Sequence, residues 1–210
     1  MAKLTIFTSY TPGAGKSYYM VERAAKQKKN GRNVVVGFLN ESHRDIVKIL
    51  EDHKLTGYRK GGYSLDKILE QKPDLVIIDE MGMRGRNRDR RENYAYEDIG
   101  ILLEKGVDVY TTVNLKRFER LNPMFKKETG IGIKNTIPDV FLERAETIYF
   151  IDREPEQMLL DYEQGNLFGS RYADSKIMKK NFERETLEAY RRISLEQLKN
   201  YSNVKVVKRK

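Results

Sequence analysis

The sequence contains no cysteine, only two histidines and no long apolar run. The absence of cysteine excludes disulfides, thiolate metal sites and a cysteine nucleophile, and it fits a reducing compartment. The two histidines, His43 and His53, are too few to support a metal site. No segment is apolar enough to span a membrane, and the N-terminus lacks the apolar stretch of a signal peptide. We therefore expect a cytoplasmic protein without membrane insertion.

Positive charge, in contrast, is abundant. The 210 residues carry a formal net charge of +9, and 34% of them are charged. A chain of this length suits one domain, or one domain with a small appendage. The excess of lysine and arginine indicates an anionic partner, which a polyphosphate, a nucleic acid or an anionic membrane surface would each provide.

A phosphate-binding loop is the most informative segment. Residues 11–17 read Thr-Pro-Gly-Ala-Gly-Lys-Ser and follow the apolar residues 4–7. Glycines let backbone N–H groups approach phosphate oxygens, the lysine reaches the terminal phosphates, and the serine hydroxyl can hold Mg²⁺. The N-terminus of the next helix adds its positive dipole end. We expect a nucleoside triphosphate to bind there, and the predicted binding residues are Pro12, Gly13, Ala14, Gly15, Lys16 and Ser17.

The loop departs from the full pattern G-x-x-x-x-G-K-[ST], because Tyr10 stands where the first glycine belongs. We expect this side chain to narrow the entrance of the loop or to stack on the ligand. The alternative is an ordinary strand–turn–helix corner with a chance Gly-Lys-Ser. An amphipathic helix directly after the loop favours phosphate binding. Its apolar stripe consists of Met20, Val21, Ala24 and Ala25.

A second signature follows the apolar residues 75–78, where Asp79 and Glu80 end a predicted strand. Parallel strands deliver such residues to the sheet edge at which ligands bind in open α/β folds. There Asp79 can hold Mg²⁺ together with Ser17, and Glu80 can activate a water if the chain hydrolyses its nucleotide. The alternative is that these carboxylates end the strand only because they are solvated.

The acidic pair resembles that of P-loop NTPases in which an extra strand lies between the phosphate-loop strand and the Walker-B strand. Residues 109–114 are the candidate for that inserted strand. Thr112 and Asn114 would point the same way on it and could sense the γ-phosphate. Asn114 could equally cap the helix that follows.

Residues 84–91 contain five arginines within eight positions. They follow the acidic pair, so we expect them on a loop at the same sheet edge. Most of these arginines are interpreted as solvated, while one of them could neutralise phosphate charge.

Strands and helices alternate along the chain, and the strands are apolar without interruption. This pattern predicts an α/β, three-layer, P-loop NTPase-like fold with a mostly parallel five-stranded sheet, helices on both faces and a C-terminal helical extension. The predicted strands are residues 4–9, 33–39, 74–79, 107–113 and 147–151. Later helices are predicted at 115–128, 138–145, 156–163 and 175–198. We expect a nucleotide-binding core over 1–153, a helical extension packed on it over 154–203, and a basic mobile tail over 204–210.

Four blocks of the sequence, in this order, resemble the N-terminal domain of KdpD-type potassium-sensor histidine kinases. Residues 6–17 resemble that family's variant phosphate loop, which also lacks the first glycine. Residues 35–43, with Glu41-Ser42-His43, and residues 73–80 resemble its next two segments. Residues 106–122, with Tyr110-Thr111-Thr112-Val113-Asn114, resemble its most distinctive stretch. The resemblance covers about residues 3–195.

The resemblance implies a cytoplasmic ATP-binding regulatory module of potassium or osmotic two-component signalling. Its cofactor would be Mg-ATP, and its partner would be another signalling protein or domain. Slow hydrolysis is compatible with this role but is not required. Neither histidine has the context of a phosphoacceptor and no kinase ATP lid follows, so we expect the chain not to be a histidine kinase by itself. Its first methionine and basic ending favour a stand-alone relative over an excised domain.

The chain also departs from the family pattern. It has Met83-Arg84-Gly85 where the family has His-Thr-Asn, and Lys116-Arg117 where the family has Gln-His. These changes add positive charge near the predicted site, so the ligand or the partner could differ.

Two other function classes remain open from the sequence. Nucleoside kinases of the thymidine-kinase type share the phosphate-loop variant and the Asp-Glu pair, but they use a cysteine zinc lasso that this chain lacks. An ATP-dependent nucleic-acid-binding protein would explain the arginine-rich segment and the basic C-terminus.

Overall fold

A parallel β-sheet organises the computed structural model, which describes residues 1–39, 44–57, 62–167 and 175–209. Neighbouring strands pair in parallel in the order β2-β3-β4-β1-β5-β6. The strands are β1 Leu4–Ser9, β2 Val34–Phe38, β3 Leu75–Ile78, β4 Asp108–Asn114, β5 Thr147–Arg153 and β6 Val204–Arg209.

Helices cover both faces of this sheet, because strand residues alternate between two apolar cores. One face is covered by α1 Lys16–Lys29 and α2 Arg44–Asp52. The other face carries α3 Leu65–Glu70, α4 Ala95–Glu104, α5 Asn122–Thr129, α6 Val140–Arg144, α7 Pro155–Glu163, α8 Lys176–Asn181 and α9 Arg184–Leu198. The α/β three-layer prediction is confirmed, including a helical C-terminal extension. Within the described ranges, no helix combines the length and the apolar character needed to cross a membrane.

The strand order fixes where the polar strand ends meet. Strand β4 lies between β1 and β3, since its Val109 is in register with Leu4 on one side and with Val76 on the other. The predicted inserted strand is therefore present. As all three strands run parallel, their carboxyl ends, with Ser9, Asn114 and Asp79, share one edge of the sheet.

The C-terminal residues form a strand instead of the expected mobile tail. Strand β6 pairs with β5 from Ile148 opposite Val204 to Arg153 opposite Arg209, so the sheet has six strands and not five. Val204 packs against one apolar core and Val207 against the other. The four basic residues of segment 204–210 outweighed these valines in the sequence-based prediction.

The helix predicted over residues 175–198 is divided into α8 and α9. Phe182 lies at the break, where its ring stacks on Tyr162 with centroids 4.4 Å apart. The helix predicted over 115–128 is likewise divided, because a 3₁₀ helix at Leu115–Arg117 ends before α5, which has Pro123 in its first turn. The helical extension contributes buried apolar residues to the core, among them Met178, Phe182, Leu187, Tyr190 and Ile193.

If β6 is a packed strand, a charge on its inner side should destabilise the protein. We expect Val207→Asp to lower the free energy of unfolding by about 1–3 kcal/mol, because Val207 contacts an apolar core. The neighbouring Val206 is 52% exposed, and Val206→Asp should change the stability by less than about 0.5 kcal/mol. Urea denaturation measures both variants. Equal effects of the two substitutions would contradict the strand.

Candidate functional site

The loop between β1 and α1 leaves room for an anion. Gly13 and Gly15 have φ angles of 81° and 96°, a backbone conformation that glycine adopts without strain. Gly15 is the N-cap of α1, and neither a capping side chain nor an acidic residue occupies the first turn. The N–H groups of this turn therefore lack partners within the helix and point toward an approaching anion.

Lys16 lies below the loop with its side chain buried. Its Nζ donates to Asn114 Oδ1 at 2.9 Å, to Ser9 Oγ at 3.1 Å and to the Thr11 carbonyl at 3.4 Å. All three acceptors are neutral, and no carboxylate in the described ranges forms an ion pair with this ammonium group. Burial lowers the pKa of Lys16 below its usual value. The nearby Glu80 and Asp79 carboxylates partly offset this lowering. A buried cation whose hydrogen bonds all go to neutral oxygens is suited to receive an anion.

Asp79 joins the loop to β3 and β4. Ser17 Oγ donates to its two carboxylate oxygens at 3.0 and 3.1 Å, and the Thr112 hydroxyl donates to Oδ1. The same Thr112 oxygen accepts the backbone N–H of Glu80 at 3.0 Å. A carboxylate and a hydroxyl in contact are the oxygen donors that Mg²⁺ prefers, together with water and phosphate oxygens. The predicted pair Ser17 and Asp79 is thus brought together.

Glu80 adopts an unusual backbone conformation directly after the strand. Its φ is 59°, a left-handed conformation that costs a residue with a side chain about 1–3 kcal/mol unless its surroundings hold it. The hydrogen bond from its N–H to Thr112 provides such a restraint. Burial, followed by the nearby Asp79 carboxylate, raises the pKa of the Glu80 carboxyl. A carboxylate with a raised pKa is better suited to accept a proton near neutral pH.

The side chain of Asn114 does not cap the helix that follows it, while its role as a γ-phosphate sensor stays a prediction. Asn114 is the N-cap of the 3₁₀ helix, but its side chain makes no capping hydrogen bond. Its Oδ1 instead accepts from Lys16 Nζ. Both sensor candidates therefore contact loop or acidic-pair residues, Asn114 through Lys16 and Thr112 through Asp79.

The expectation for Tyr10 was wrong. Its side chain is 1% exposed and packs in the apolar core on the α4 side of the sheet, so it neither narrows the loop entrance nor stacks on a ligand. Its hydroxyl donates to the Arg153 carbonyl at 2.8 Å, which ties the loop to the end of β5. Position 10 is thus part of the core, where the consensus glycine would leave a cavity.

Two arginines near the loop were not among the predicted site residues. The Arg117 side chain lies beside Gly82, and its charge adds to the lowering of the Lys16 pKa by burial and partly offsets the raised pKa of Glu80. Arg209, on β6, lies against Gly15 so closely that a Cβ there would overlap its guanidinium group. The residues that line a cavity of about 210 Å³ at this end of the loop include Gly13, Gly15, Tyr18, Asp45, Asp161 and Arg209. Proximity between β6 and the loop depends on the tertiary fold, so no local signal in the sequence marks Arg209.

The arginine-rich segment is held by contacts of its own. Arg84 forms an ion pair with Glu92, and the Arg86 guanidinium lies 5.2 Å from the centre of the Phe38 ring. Asn87 is buried and donates to Asp98 Oδ1 at 3.0 Å. The histidine segment that carries part of the family resemblance, residues 41–43, lies outside the described residues.

Lys116 is a second buried lysine close to the site, at one of the positions that depart from the family pattern. Its Nζ donates to Asn181 Oδ1 at 2.7 Å and lies 4.3 Å from the centre of the Tyr190 ring. Burial, together with the charges of Arg117 and Lys16, lowers the pKa of Lys116 to about 7. The contact ties the end of β4 to α8 and α9 of the helical extension.

Comparisons with known proteins identify relatives over nearly the whole chain. A family model described as KdpD, osmosensitive K⁺ channel His kinase sensor domain, matches residues 1–201. The sensor protein KdpD of Clostridium acetobutylicum is 28% identical over an alignment that covers 97% of this chain. The sensor protein KdpD of Escherichia coli is 29% identical over 92% of this chain. A sensor protein of the KdpD type from Synechocystis sp. is 30% identical over 94% of it. The chain spans 23%, 22% and 55% of the length of these three relatives, respectively.

The hydroxyl of Thr112 should stabilise the fold through Asp79 and Glu80. We expect Thr112→Val to lower the free energy of unfolding by about 1–3 kcal/mol, because it leaves the Glu80 N–H and an Asp79 oxygen without this partner. Thr111 is the matched control, since its hydroxyl is buried without a hydrogen-bond partner, and Thr111→Val should be neutral or stabilising. Chemical denaturation measures both variants. A Thr112→Val protein as stable as the control would contradict the role of this hydroxyl.

Lys116 should make stability depend on pH in alkaline solution. Its pKa is about 7 in the folded protein and 10.5 for an unperturbed lysine, so between these values the unfolded chain binds the additional proton. The free energy of unfolding should therefore rise with pH across this window, and Lys116→Met should reduce the slope by up to about 1.4 kcal/mol per pH unit. Denaturation at a series of pH values measures the slope. Lys26→Met, on the exposed side of α1, is the control, and equal slopes in both variants would contradict the prediction.

Proposed function

The chain belongs to the KdpD family of osmosensitive K⁺ channel His kinase sensor domains, and on that premise we propose that it is a regulatory module that binds Mg-ATP. The observation that carries the proposal is the meeting of Lys16, Ser17 and Asp79 at a glycine loop that opens α1. This combination provides a buried cation, an oxygen pair for Mg²⁺ and unpaired N–H groups within one site. Each of these features complements a different part of a metal–triphosphate complex.

The residues of the site bind different parts of the ligand. Gly13, Gly15 and the first turn of α1 present backbone N–H groups to phosphate oxygens. When phosphate binds, Lys16 exchanges its neutral hydrogen-bond acceptors for a charged phosphate oxygen, which strengthens its hydrogen bonds. Ser17 and Asp79 hold the metal ion, which neutralises phosphate charge when it is bound. Glu80 follows Asp79 directly and is the base that activates water, if the module hydrolyses its nucleotide.

A change in the contacts of Lys16 gives binding a structural consequence. In this structure Lys16 is bonded to Asn114 at the end of β4, and Lys116 nearby is bonded to Asn181 of α8. A ligand that draws Lys16 away from Asn114 changes the hydrogen bonds at the end of β4. Lys116, two residues after Asn114, holds the helical extension through Asn181. A regulatory module requires only that the nucleotide-bound and free forms differ in shape, so hydrolysis is not essential.

We assign this module to potassium or osmotic signalling by a two-component system, in the cytoplasm. The support is family membership, together with relatives that are named sensor proteins. Because the chain spans about a quarter of two of these relatives, the remainder of the signalling activity would be supplied by another protein or domain.

Calorimetric titration of ATP with Mg²⁺ into the wild-type protein should give saturable binding. Lys16→Ala should weaken the affinity by about 100-fold or more, equal to about 2.7 kcal/mol, because it removes a charge-assisted contact to phosphate. Lys26→Ala, on the exposed side of α1, removes the same charge elsewhere on that helix and should leave the affinity within about twofold.

Circular dichroism establishes that each variant is folded. Folded wild-type protein that does not bind Mg-ATP would contradict the proposal, as would full affinity in folded Lys16→Ala protein. Equal losses in both lysine variants would indicate unspecific charge attraction, and would also contradict it.

A further inference from the structure

We propose that Arg209, at the end of β6, is an additional phosphate-binding residue of the loop at residues 12–17. This inference rests on the proposed function and adds to it a residue outside the phosphate-loop and Walker-B motifs. In sequence Arg209 is separated from Gly15 by almost the full length of the chain, and only the pairing of β6 with β5 brings the two together.

Strand register determines which side of the sheet Arg209 occupies. Arg209 is opposite Arg153 of β5, and successive β6 side chains alternate between the two faces. Val207 packs against the core beneath α1, so Arg209, two residues later, faces the same helix. Its guanidinium lies 4.8 Å from the centre of the Tyr18 ring in the first turn of α1, a cation–π contact that directs it along the loop.

Gly15 allows the guanidinium to approach the backbone. A Cβ at position 15 would overlap Arg209, whereas glycine leaves that space open. Gly15 is also the N-cap of α1, so the guanidinium reaches the helix end to which a phosphate group would bind. The close approach thus places one more set of N–H donors at the ligand-facing side of the loop.

The charge of Arg209 lies at a positive helix end. The guanidinium lies near the positive end of the α1 dipole, and the first turn of that helix contains no acidic residue. Two carboxylates, Asp45 and Asp161, line the same cavity, and Asp161 is already paired with Arg153 at 2.6 Å. Neither forms an ion pair with Arg209 in the part of the chain that the structure describes. A phosphate group in the loop would supply Arg209 with an anionic partner.

The contact would also link nucleotide binding to the edge of the sheet. Strand β6 pairs only with β5 in the described residues, so an edge strand carries the residue that contacts the ligand. Binding at the loop would then stabilise β6 through Arg209.

The test is calorimetric titration of ATP with Mg²⁺ into wild type, Arg209→Gln and Lys208→Gln. Lys208 precedes Arg209 but lies on the opposite face of β6, so its variant removes one charge without touching the loop. We expect Arg209→Gln to weaken the affinity about tenfold, which corresponds to one charge-assisted contact of about 1.4 kcal/mol. Lys208→Gln should stay within about twofold of wild type. Arg209→Lys, which retains the charge without the planar donors, should be intermediate.

Lys16→Ala separates the failure of this inference from the failure of the proposed function. If wild type binds, Lys16→Ala does not, and folded Arg209→Gln binds as well as wild type or better, Arg209 is not a ligand-binding residue and the inference is overturned alone. Equal losses in Arg209→Gln and Lys208→Gln also overturn it, because they show a general charge effect. If folded wild type does not bind Mg-ATP, both proposals fall together.

Discussion

The site depends on the hydrogen bonds that the carboxylate of Asp79 accepts. It accepts hydrogen bonds from Ser17 at the start of α1 and from Thr112 on β4, so one side chain of the β3 end fixes the phosphate loop and the neighbouring strand. Thr112 in turn holds the N–H of Glu80, whose left-handed backbone would otherwise be unfavourable. Because these groups are buried, removal of any member leaves another polar atom without its partner.

The second constraint is the number of cations near this network. Lys16 and Lys116 are both buried, while Arg117, on the 3₁₀ helix after β4, and Arg209, on β6, approach the same region. Burial, and after it repulsion from neighbouring cations, lowers the pKa of each lysine, although the Glu80 and Asp79 carboxylates partly offset this for Lys16. An anion bound at the loop would relieve this repulsion. Two of these cations, Lys116 and Arg117, stand where the family pattern has Gln-His, so the surroundings of the proposed phosphate site carry more positive charge than that pattern does.

Much of the fold could be predicted because the apolar runs of strands and the apolar stripes of helices indicate which residues are buried. The stripe from Met20 to Ala25 is an example. The inserted strand was predicted from the residues after β3, and its position between β1 and β3 is confirmed. Strand β6 was missed because its lysines suggest a solvated tail, while its pairing with β5 is a long-range contact. The position of the Tyr10 side chain was predicted wrongly, because the phosphate-loop motif aligns residue positions but does not indicate the direction of a side chain. Arg209 could not be found for the same long-range reason as β6.

Amide hydrogen exchange, followed with and without Mg-ATP, tests most directly whether these strand ends form one nucleotide site. The account predicts slower exchange together at residues 12–18, 79–81 and 112–114, because a single ligand would contact the loop and restrain the hydrogen bonds of Asp79, Thr112 and Asn114. Unchanged exchange in these segments, or protection confined to the α1–α2 surface, would show that the ligand binds elsewhere and would contradict the account.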